Sequence, residues 1–597
     1  MPKPGMDAPS MTGAKDKRKA FGALVTYCRK YFPIIVVAVC CAAGSAILAV
    51  IGPDYISELT AVIQRGISIL GVHIDMGEIA RIGGILIAIY GCSMVLNYLQ
   101  SFIMNHVSTH VGQRMRSDIS AKINRVPLNY FDTHNYGDTL SRVTNDVDMI
   151  SQSLNMSIGT LVSAAATLVG CVVMMFITEW HMALTAIGAS LIGFIGMGLI
   201  MGKSQKYFNA RQQSLAEVNS HVEEYYAGQT IVRAYNAEPD GLEAFRQSNE
   251  RLRQNTLKAE FLAGLMHPLM GFIGNFGYVA VCVVGAAMAF AGSIEFSVVV
   301  AFMIYIRLFT SPLGQIGQGF AQIQSALAAS ERVAEFLNEE EMIDESTKSR
   351  TLSDVQGEVE FDHVRFGYMP EKTIIHDFSA RIRQGQKVAI VGPTGAGKTT
   401  IVNLLMRFYE LNGGSIRVDG VPLSELRRDN VHALFGMVLQ DTWLFEGTVR
   451  ENLAYGRTGI SDDRLLDICK QCGLGHFIRT LPDGLDTVLN DNVTISAGQK
   501  QLLTIARAMV EDAPMLILDE ATSSVDTRTE IKIQRAMDKL TENRTSFVIA
   551  HRLSTIRDAD VIIYINDGDI KEVGTHDELI AKNGCYAELY NSQFLAA

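Results

Sequence analysis

Long apolar segments in the first part of the chain constrain its fold more than any other feature of the sequence. A helix needs about 20 mostly apolar residues to cross a bilayer. Six segments meet this requirement, approximately Phe32–Ile51, Ile79–Ile103, Ile158–Ile177, Met182–Met201, Phe261–Ala291 and Phe296–Gln318. The stretch after them has the composition of a soluble α/β domain. The sequence therefore predicts a multi-domain chain, with an all-α six-helix transmembrane domain followed by a soluble α/β domain.

Composition supports this division and excludes one class of partner. Charged residues make up 19% of the 597 residues, which is below the roughly 25% of ordinary soluble domains. The formal net charge is −11, whereas binding to nucleic-acid phosphates needs clustered Lys and Arg. We therefore expect no nucleic acid among the partners. A lone C-x-x-C, Cys469 and Cys472, is weak support for zinc or redox chemistry without a second such pair.

Basic residues near the ends of the spans predict the orientation of the chain, because Lys and Arg accumulate on the cytosolic side. They are frequent before the first span and after the second and fourth, at Lys15, Lys17, Arg18, Lys19, Arg29, Lys30, Arg114, Arg116, Lys122, Arg125, Arg142, Lys203, Lys206, Arg211 and Arg233. The loop after the first span offers chiefly Arg65 and Arg81. The N-terminus and the soluble domain are therefore predicted to be cytosolic, in a multi-pass protein of the cytoplasmic membrane.

These features divide the chain into four predicted regions. They are a cytosolic tail with an interfacial amphipathic helix (1–31), the six-span membrane domain (32–325), a linker (326–356) and the soluble domain (357–597). The long cytosolic stretches between spans are polar and poor in Pro and Gly, so we expect helices that continue out of the membrane. Each stretch contains one main break, the first around Val126–Asn135 and the second around Tyr225–Glu238, where the helix can reverse and present a short element.

One motif of the soluble domain is a phosphate-binding loop. The segment from Gly392 to Thr399 (GPTGAGKT) matches G-x-x-x-x-G-K-[ST] in full, between an apolar strand and a helix. Glycines let backbone N–H groups surround phosphates, Lys398 reaches the outer phosphates and Thr399 is a ligand of Mg²⁺. The residues predicted to bind ATP here are Gly392, Pro393, Thr394, Gly395, Ala396, Gly397, Lys398, Thr399 and Thr400. ATP and Mg²⁺ are the predicted cofactors.

Two adjacent carboxylates follow a second apolar run, MLIL, at Asp519 and Glu520. An apolar run that ends in acids predicts carboxylates at the tip of a buried parallel strand. Asp519 is placed to hold Mg²⁺ there, and Glu520 is placed to polarise an attacking water as the catalytic base.

A third motif, the segment Ile495–Gln499 (ISAGQ) before a helical run, separates this chain from other proteins with a phosphate-binding loop. It resembles the signature LSGGQ of the ABC transporters, with Ser496, Gly498 and Gln499 matching and Ile495 and Ala497 departing from it. In that family the element binds the γ-phosphate of an ATP held by a partner domain. The resemblance therefore implies that Ser496, Ala497, Gly498 and Gln499 face the partner's ATP.

The remaining motifs of the family occur in order along the soluble domain. The resemblance implies that Tyr368 stacks on adenine, that Gln440 is a Mg²⁺ ligand and senses the membrane domain, and that Asp526 signals to the opposite ATP site. It implies that His551 is the switch histidine that contacts the γ-phosphate. The predicted catalytic residues are thus Glu520, His551 and Gln440, and the predicted Mg²⁺ ligands are Thr399, Gln440 and Asp519.

A single phosphate loop and a single signature imply that this chain works as half of a dimer. Asn490 stands where many homodimeric relatives have a glutamate, and Ala497 replaces the first signature glycine. In both respects the chain resembles one subunit of heterodimeric bacterial multidrug exporters, in which Glu520 and His551 would serve the active site and Ser496 would close a weaker one. A different half-transporter is the expected partner, and a homodimer stays open.

The fused order of membrane domain and ATPase resembles that of exporters. It implies ATP-driven export of a hydrophobic or amphipathic substrate, whether drug-like, lipid or peptide, across the cytoplasmic membrane. Flipping of a lipid or lipopeptide and, as a further alternative, import by an exporter-shaped machine stay open. Six spans argue against a chromosome-maintenance or DNA-repair ATPase. Polar residues within spans, such as Asn97 and Gln100, are candidates for the substrate path.

Overall fold

The computed structural model of the protein describes residues 17–68, 75–369, 371–440, 442–490, 495–519, 526–550 and 556–592. Its contacts divide the chain into two compact units. The helical unit comprises Met1–Asn124 and Asn135–Glu339, and the sheet unit comprises Arg125–His134 and Glu340–Ala597.

Long helices make up the helical unit. In chain order the first eleven helices are α1 Lys17–Cys28, α2 Phe32–Ser68, α3 Met76–Ile123, α4 Leu128–Thr133, α5 Tyr136–Ser141, α6 Val147–Thr178, α7 Trp180–Ala227, α8 Gln229–Ala234, α9 Glu238–Gly264, α10 Met266–Phe290 and α11 Phe296–Leu337. A 3₁₀ turn, Arg29–Tyr31, precedes α2, and a π-helical turn, Arg142–Asp146, precedes α6. Helix α4 alone among them lies in the sheet unit.

Candidate membrane spans agree with those predicted from the sequence. Within the described residues, six continuous helical stretches are long and apolar enough to cross a membrane: Ala20–Ile67, Met76–Ile123, Tyr136–Thr178, Trp180–Ala227, Glu238–Phe290 and Phe296–Leu337. Each overlaps one predicted span. The prediction of a six-helix membrane domain is therefore confirmed.

The helices are much longer than a bilayer is thick. Helix α7 has 48 residues, and at about 1.5 Å per residue it extends about 70 Å, against about 30 Å for the hydrocarbon core. The two predicted breaks lie where these extensions end. Pro127, with an extended backbone, precedes α4, and Gly228 separates α7 from α8. Helix α11 runs on to Leu337, so the first part of the predicted linker is helical.

Close packing of the helices depends on small residues and on one half-buried acid. A Cβ added to Gly159 on α6 would lie 1.9 Å from Gln100 Nε2 on α3, so these two helices approach through the glycine. Asp54 lies in α2, which continues beyond the apolar run that predicted the first span. Its Oδ1 accepts hydrogen bonds from Tyr305 Oη at 3.0 Å and Thr178 Oγ1 at 3.4 Å, which joins α2, α11 and α6.

Strands and short helices alternate in the sheet unit. The strands are β1 Val359–Phe366, β2 Ile375–Ile382, β3 Lys387–Val391, β4 Gly413–Val418, β5 Val421–Pro422, β6 Phe435–Val438, β7 Gly447–Thr448, β8 Val488–Leu489, β9 Met515–Asp519, β10 Thr545–Ile549, β11 Val561–Asn566 and β12 Asp569–Gly574. The helices are α12 Lys398–Leu405, α13 Arg428–Leu434, α14 Val449–Leu453, α15 Asp462–Gln471, α16 Gly475–Thr480, α17 Ala497–Glu511, α18 Thr527–Thr541, α19 His576–Lys582 and α20 Cys585–Tyr590.

Ten of these strands form one sheet in the order β5-β4-β1-β2-β12-β11-β3-β10-β9-β6. From β11 to β6 neighbouring strands are parallel, whereas β1 pairs antiparallel with β2 and β4. Strands β3, β9 and β10 are almost entirely buried and apolar, as parallel strands covered on both faces are. The soluble part is thus the α/β domain that the sequence predicts.

The C-x-x-C pair belongs to the apolar core of this unit. Cys469 and Cys472 are buried free thiols on and just after α15, and Cys472 Sγ lies 3.4 Å from Met509 Sδ. Burial raises the pKa of Cys469 to about 11 and that of Cys472 to about 12. Both side chains therefore stay neutral at physiological pH and serve as small apolar residues in the core.

Candidate functional site

The phosphate-binding loop connects β3 to α12, and its shape requires glycine. Gly395 and Gly397 have φ of +86° and +101°, a conformation that residues with a Cβ rarely adopt. A Cβ on Gly392 would lie 2.1 Å from Ile565 O, closer than any real contact allows. Glycine is therefore required at Gly395 and Gly397 by the backbone conformation, and at Gly392 by the close approach of neighbouring backbone.

Lys398 begins α12, and its ammonium group folds back over the loop. Its Nζ donates hydrogen bonds to Gly392 O at 2.7 Å and to Pro393 O at 3.0 Å. Burial lowers the pKa of Lys398, and the charge of Asp519 opposes this effect. The N-terminus of α12 and this cation share one concave loop, so the region favours an anionic ligand such as a phosphate.

Asp519 lies at the carboxyl end of β9, on the same edge of the sheet as the loop. In the parallel register Asp519 pairs with Ile549 on β10, and Ile549 pairs with Ile390 on β3. One strand therefore separates Asp519 from the phosphate-binding loop. Thr399 is exposed at the start of α12. A carboxylate and a hydroxyl at this edge are oxygen donors, which fit Mg²⁺ when it is also bound to nucleotide phosphates.

Three further predicted residues follow neighbouring strands in sequence. Gln440 is exposed two residues after the end of β6, which pairs with β9. Glu520 directly follows Asp519, and His551 comes two residues after the end of β10, but both lie outside the described residues. The fold thus places Gln440 near the carboxyl edge of the sheet, and the roles of Glu520 and His551 stay predictions.

Tyr368 follows β1 and stands beside the phosphate-binding helix. Its ring packs edge-on against Phe366, with centroids 4.9 Å apart, and against Tyr409, with centroids 5.0 Å apart. Its Oη lies 3.4 Å from Thr400 Oγ1 on α12. The ring is half-buried, so one part of it packs in the protein while another part is accessible next to the loop.

The signature segment is the N-terminus of α17. Ser496 caps this helix, because its Oγ accepts from Gln499 N at 3.2 Å while Gln499 Oε1 accepts from Ser496 N at 3.0 Å. This reciprocal capping box is visible in the sequence as S-x-x-Q, at Ser496 and Gln499. Ala497 is exposed in the first turn, and Gly498 is buried. The segment therefore presents a helix N-terminus with Ala497 on its outer surface.

Asp526 also caps a helix. Its carboxylate accepts a hydrogen bond from Thr529 N at 3.0 Å at the start of α18. Hydrogen bonds from Thr529 lower the pKa of Asp526, so the carboxylate is charged at neutral pH. The structure gives Asp526 a local role, and its predicted signalling to the opposite ATP site stays a prediction.

The sheet unit also shows a contact that the sequence did not predict. Tyr409 Oη donates a hydrogen bond of 2.6 Å to Asp132 Oδ2 on α4. These residues are 277 positions apart in the chain, and neither belongs to a motif, so the sequence offered no signal for the pair.

A phosphate-binding loop at the carboxyl edge of the parallel strands of a mixed sheet, in a chain that also has a six-span helical unit, defines a membrane-bound P-loop ATPase. Comparisons with known proteins agree. Residues 35–313 match the family model described as ABC transporter transmembrane region, and residues 375–523 match the family model described as ABC transporter.

Relatives align with almost the whole chain. The fatty acid ABC transporter ATP-binding/permease protein of Mycobacterium tuberculosis is 42% identical over 520 residues, 87% of this chain and 82% of that protein. The uncharacterized ABC transporter ATP-binding protein YfiC of Bacillus subtilis is 36% identical over 586 residues, 97% and 95% of the two chains. The ATP-dependent lipid A-core flippase of Desulfotalea psychrophila is 34% identical over 513 residues, 85% and 89% of the two chains.

The chain therefore belongs to the ABC transporters, as an exporter-type half-transporter. Its ATPase domain couples ATP hydrolysis to transport, and its membrane domain makes it a multi-pass membrane protein with the ATPase domain in the cytosol.

Proposed function

We propose that this half-transporter exports an amphipathic compound with an acyl-chain-like apolar part. The carrying observation is a groove of about 480 Å³ along one face of α3. Its lining residues are Tyr90, Ser93, Met94, Asn97, Tyr98 and Ser101. Successive members are one or three positions apart, so polar and apolar side chains share one helix face.

The lining of the groove suits a ligand that is polar at one point and apolar along its length. Met94 is 75% exposed and Tyr98 is 71% exposed, and both offer apolar surface. Asn97 adds an amide that can donate and accept hydrogen bonds. Relatives named for fatty acid transport and for lipid A-core flipping support the same chemical class.

ATPase measurements in proteoliposomes test this proposal. The assembly that contains this chain should hydrolyse ATP faster when long-chain fatty acids or acylated amphiphiles are added. Tyr98→Ala and Asn97→Leu should weaken that stimulation several-fold, whereas Phe290→Ala, at the exposed end of α10 and not among the residues that line the groove, should not. Equal stimulation in all variants would contradict a role for the groove.

Lipid flipping is the second candidate function, favoured by the lipid A-core flippase among the relatives. Export and flipping differ in where the product is released. A fluorescent acyl compound that reaches the aqueous lumen of inside-out vesicles indicates export, whereas a labelled phospholipid that only changes leaflet indicates flipping.

For ATP hydrolysis we propose the following roles within the nucleotide site. Lys398 and the N–H groups at the start of α12 bind the phosphates, and Tyr368 stacks on adenine. Thr399, Gln440 and Asp519 would hold Mg²⁺, which neutralises charge on the transferring phosphoryl group when bound.

The other predicted residues act on the attacking water, on the γ-phosphate and on the partner's ATP site. Glu520 orients the attacking water and accepts its proton, and His551 contacts the γ-phosphate. Asp526 signals to the opposite site. The capped N-terminus at Ser496 to Gln499 faces the partner's ATP, where a helix dipole favours an anion.

We further propose that the partner is a different half-transporter. The support is the exposed Ala497, whose methyl group stands on the first turn of α17 where a backbone must approach a phosphate closely. In a homodimer this methyl group would burden both ATP sites, whereas in a heterodimer it burdens one. Robust ATPase activity and transport by this chain expressed alone would contradict the proposal.

A further inference from the structure

A short segment of the ATPase domain lies between the nucleotide site and the first cytosolic helix break. This junction segment, Arg407–Glu410, follows α12. Within this segment, the Tyr409 hydroxyl donates the hydrogen bond to Asp132 on α4 that is described above. Burial and this hydrogen bond raise the pKa of Tyr409, so the hydroxyl keeps its proton and remains a donor at neutral pH. Both residues belong to the sheet unit.

The ring of Tyr409 contacts Tyr368, the residue that we propose to stack on adenine. It packs perpendicular to Tyr368, at an interplanar angle of 88° and a centroid distance of 5.0 Å. It also packs on Phe366, with centroids 5.7 Å apart. Edge-to-face pairs of this kind are directional, so a change in the position of one ring is felt by the other. Tyr409 is therefore in direct contact with both Tyr368 and Asp132.

Buried ion pairs fix the junction segment. The Arg407 side chain is 5% exposed and pairs with Glu345 at 2.7 Å and Glu410 at 2.9 Å. Arg428 also pairs with Glu345, at 3.1 Å. Arg407 has a φ of +53°, which is uncommon for a residue with a side chain and persists only where the surroundings hold it. The backbone that carries Tyr409 is thus held in one conformation.

Glu345 connects this cluster to the chain that leaves the membrane domain, because it lies in the predicted linker after α11. Burial alone would raise the pKa of Glu345, but hydrogen bonds from Arg428 N and Lys348, with the charges of Arg407 and Arg428, lower it. The junction segment therefore meets the linker through Glu345 and the first helix break through Asp132.

We propose that Tyr409 is a positioning residue through which the adenine base, bound on Tyr368, stabilises α4. A base stacked on Tyr368 restricts the ring against which Tyr409 packs, and the Tyr409 hydroxyl transmits that restriction to Asp132. By linkage, the contact with Asp132 must in turn strengthen binding of ligands that carry the base. A ligand that carries only phosphates gains nothing from it.

Amide hydrogen exchange on the full-length chain, in its active assembly in lipid nanodiscs, tests this inference. The probes are a non-hydrolysable ATP analogue and inorganic triphosphate, which lacks the base. We expect the analogue to slow exchange about fivefold in residues 126–134, the ratio that one ordinary hydrogen bond corresponds to. Triphosphate should leave exchange there unchanged. Absence of protection by the analogue, or equal protection by triphosphate, would overturn the proposal.

Variants separate the hydrogen bond from general effects on folding. Tyr409→Phe and Asp132→Ala should abolish the protection, whereas Asp132→Asn, which keeps an acceptor oxygen, should retain it. The matched control is Tyr586→Phe, which removes a hydroxyl bonded to His576 Nδ1 at 2.9 Å elsewhere in the domain. Unchanged triphosphate affinity in Tyr409→Phe shows that its nucleotide site is folded. Protection that persists in either Tyr409→Phe or Asp132→Ala contradicts the proposed role of Tyr409.

This inference rests on the proposed contact of Tyr368 with adenine, and one further variant distinguishes the two. If Tyr368→Ala leaves the affinity for the ATP analogue unchanged, both the contact of Tyr368 with adenine and the positioning role of Tyr409 are contradicted. If Tyr368→Ala weakens binding of the analogue several-fold but Tyr409→Phe keeps the protection of α4, the contact of Tyr368 with adenine is supported and only the positioning role of Tyr409 is wrong.

Discussion

At the scale of single residues, the nucleotide site depends on backbone shape as much as on charge. Gly397 combines a φ of +101° with a position where a Cβ would lie 2.8 Å from Ile375 Cδ1. Lys398, next in the chain, carries the charge, and two backbone carbonyls hold its ammonium group over the loop. Shape and charge can therefore be removed separately.

Gly397→Ala should abolish ATP binding without removing a charge, because it strains the backbone that directs N–H groups at the phosphates. Gly385→Ala is a fair control for a positive φ alone, since its φ is +74° and a Cβ there meets nothing within 4 Å. Binding of a fluorescent ATP analogue to the full-length chain measures both. ATP binding by Gly397→Ala at the unmodified affinity would show that the loop tolerates a side chain.

Lys398→Ala should weaken nucleotide binding at least tenfold, because the ammonium group supplies a point charge to the outer phosphates. Lys387→Ala, on the first position of β3, is a control that removes a lysine close in sequence but away from the loop. The same equilibrium binding measurement applies, and equal affinity in the two variants would contradict the assignment of the loop.

The sequence predicted most of the site at this scale because its motifs are local. Residues of the phosphate-binding loop are contiguous, and Asp519 follows its own apolar strand. Asp132 and Tyr409 could not be paired in the same way, since their contact depends on the complete tertiary fold. Asp54 was missed for another reason: the apolar run ends before it, while helix α2 continues to Ser68.

At the scale of elements, the N-terminus of α17 is the part of the structure that we propose to face the partner. The capping box of α17 satisfies backbone N–H groups that would otherwise be unpaired at this helix end. The same two residues, Ser496 and Gln499, are those that resemble the family signature. Local stability and the proposed recognition of the partner's ATP thus use the same side chains.

Ser496→Ala should destabilise the first turn of α17 by about 1 kcal/mol, the usual cost of a lost N-cap. Amide exchange over residues 497–500 should become about fivefold faster, while Ser496→Thr, which keeps a capping hydroxyl, should restore most of the protection. The control is Ser461→Ala, which removes the cap of α15 and should affect only that helix. Unchanged exchange in Ser496→Ala would show that the capping box contributes nothing to stability.

Elements were predictable where periodicity or apolar length is strong. The spans and the buried strands β3 and β9 follow from apolar runs, and Pro127 and Gly228 mark the helix breaks. The order of strands in the sheet was not predictable, because β12 inserts between β2 and β11 through contacts between distant parts of the chain.

At the scale of the whole molecule, one chain supplies one phosphate-binding loop and one signature segment. Family membership establishes ATP-driven transport, and the roles of the loop, of the Mg²⁺ ligands and of the capped helix within it are our proposals. We predict that the partner is a half-transporter in which the acid after the Mg²⁺-binding Asp is altered. With such a partner, Ala497→Gly should change the total ATPase rate only modestly, less than about twofold, because that altered acid would still limit the site that Ala497 faces. A rate increase of tenfold or more would favour a homodimer, in which both sites carry the methyl group.

Transport into proteoliposomes tests the central claim most directly. The reconstituted assembly should move a fluorescent acyl compound into the lumen of inside-out vesicles only with ATP and Mg²⁺. Glu520→Gln should lower both this uptake and ATP hydrolysis at least a hundredfold while ATP binding is retained, because positioning of the water is lost. Uptake that continues at the unmodified rate without ATP, or in Glu520→Gln, would contradict an exporter driven by this site.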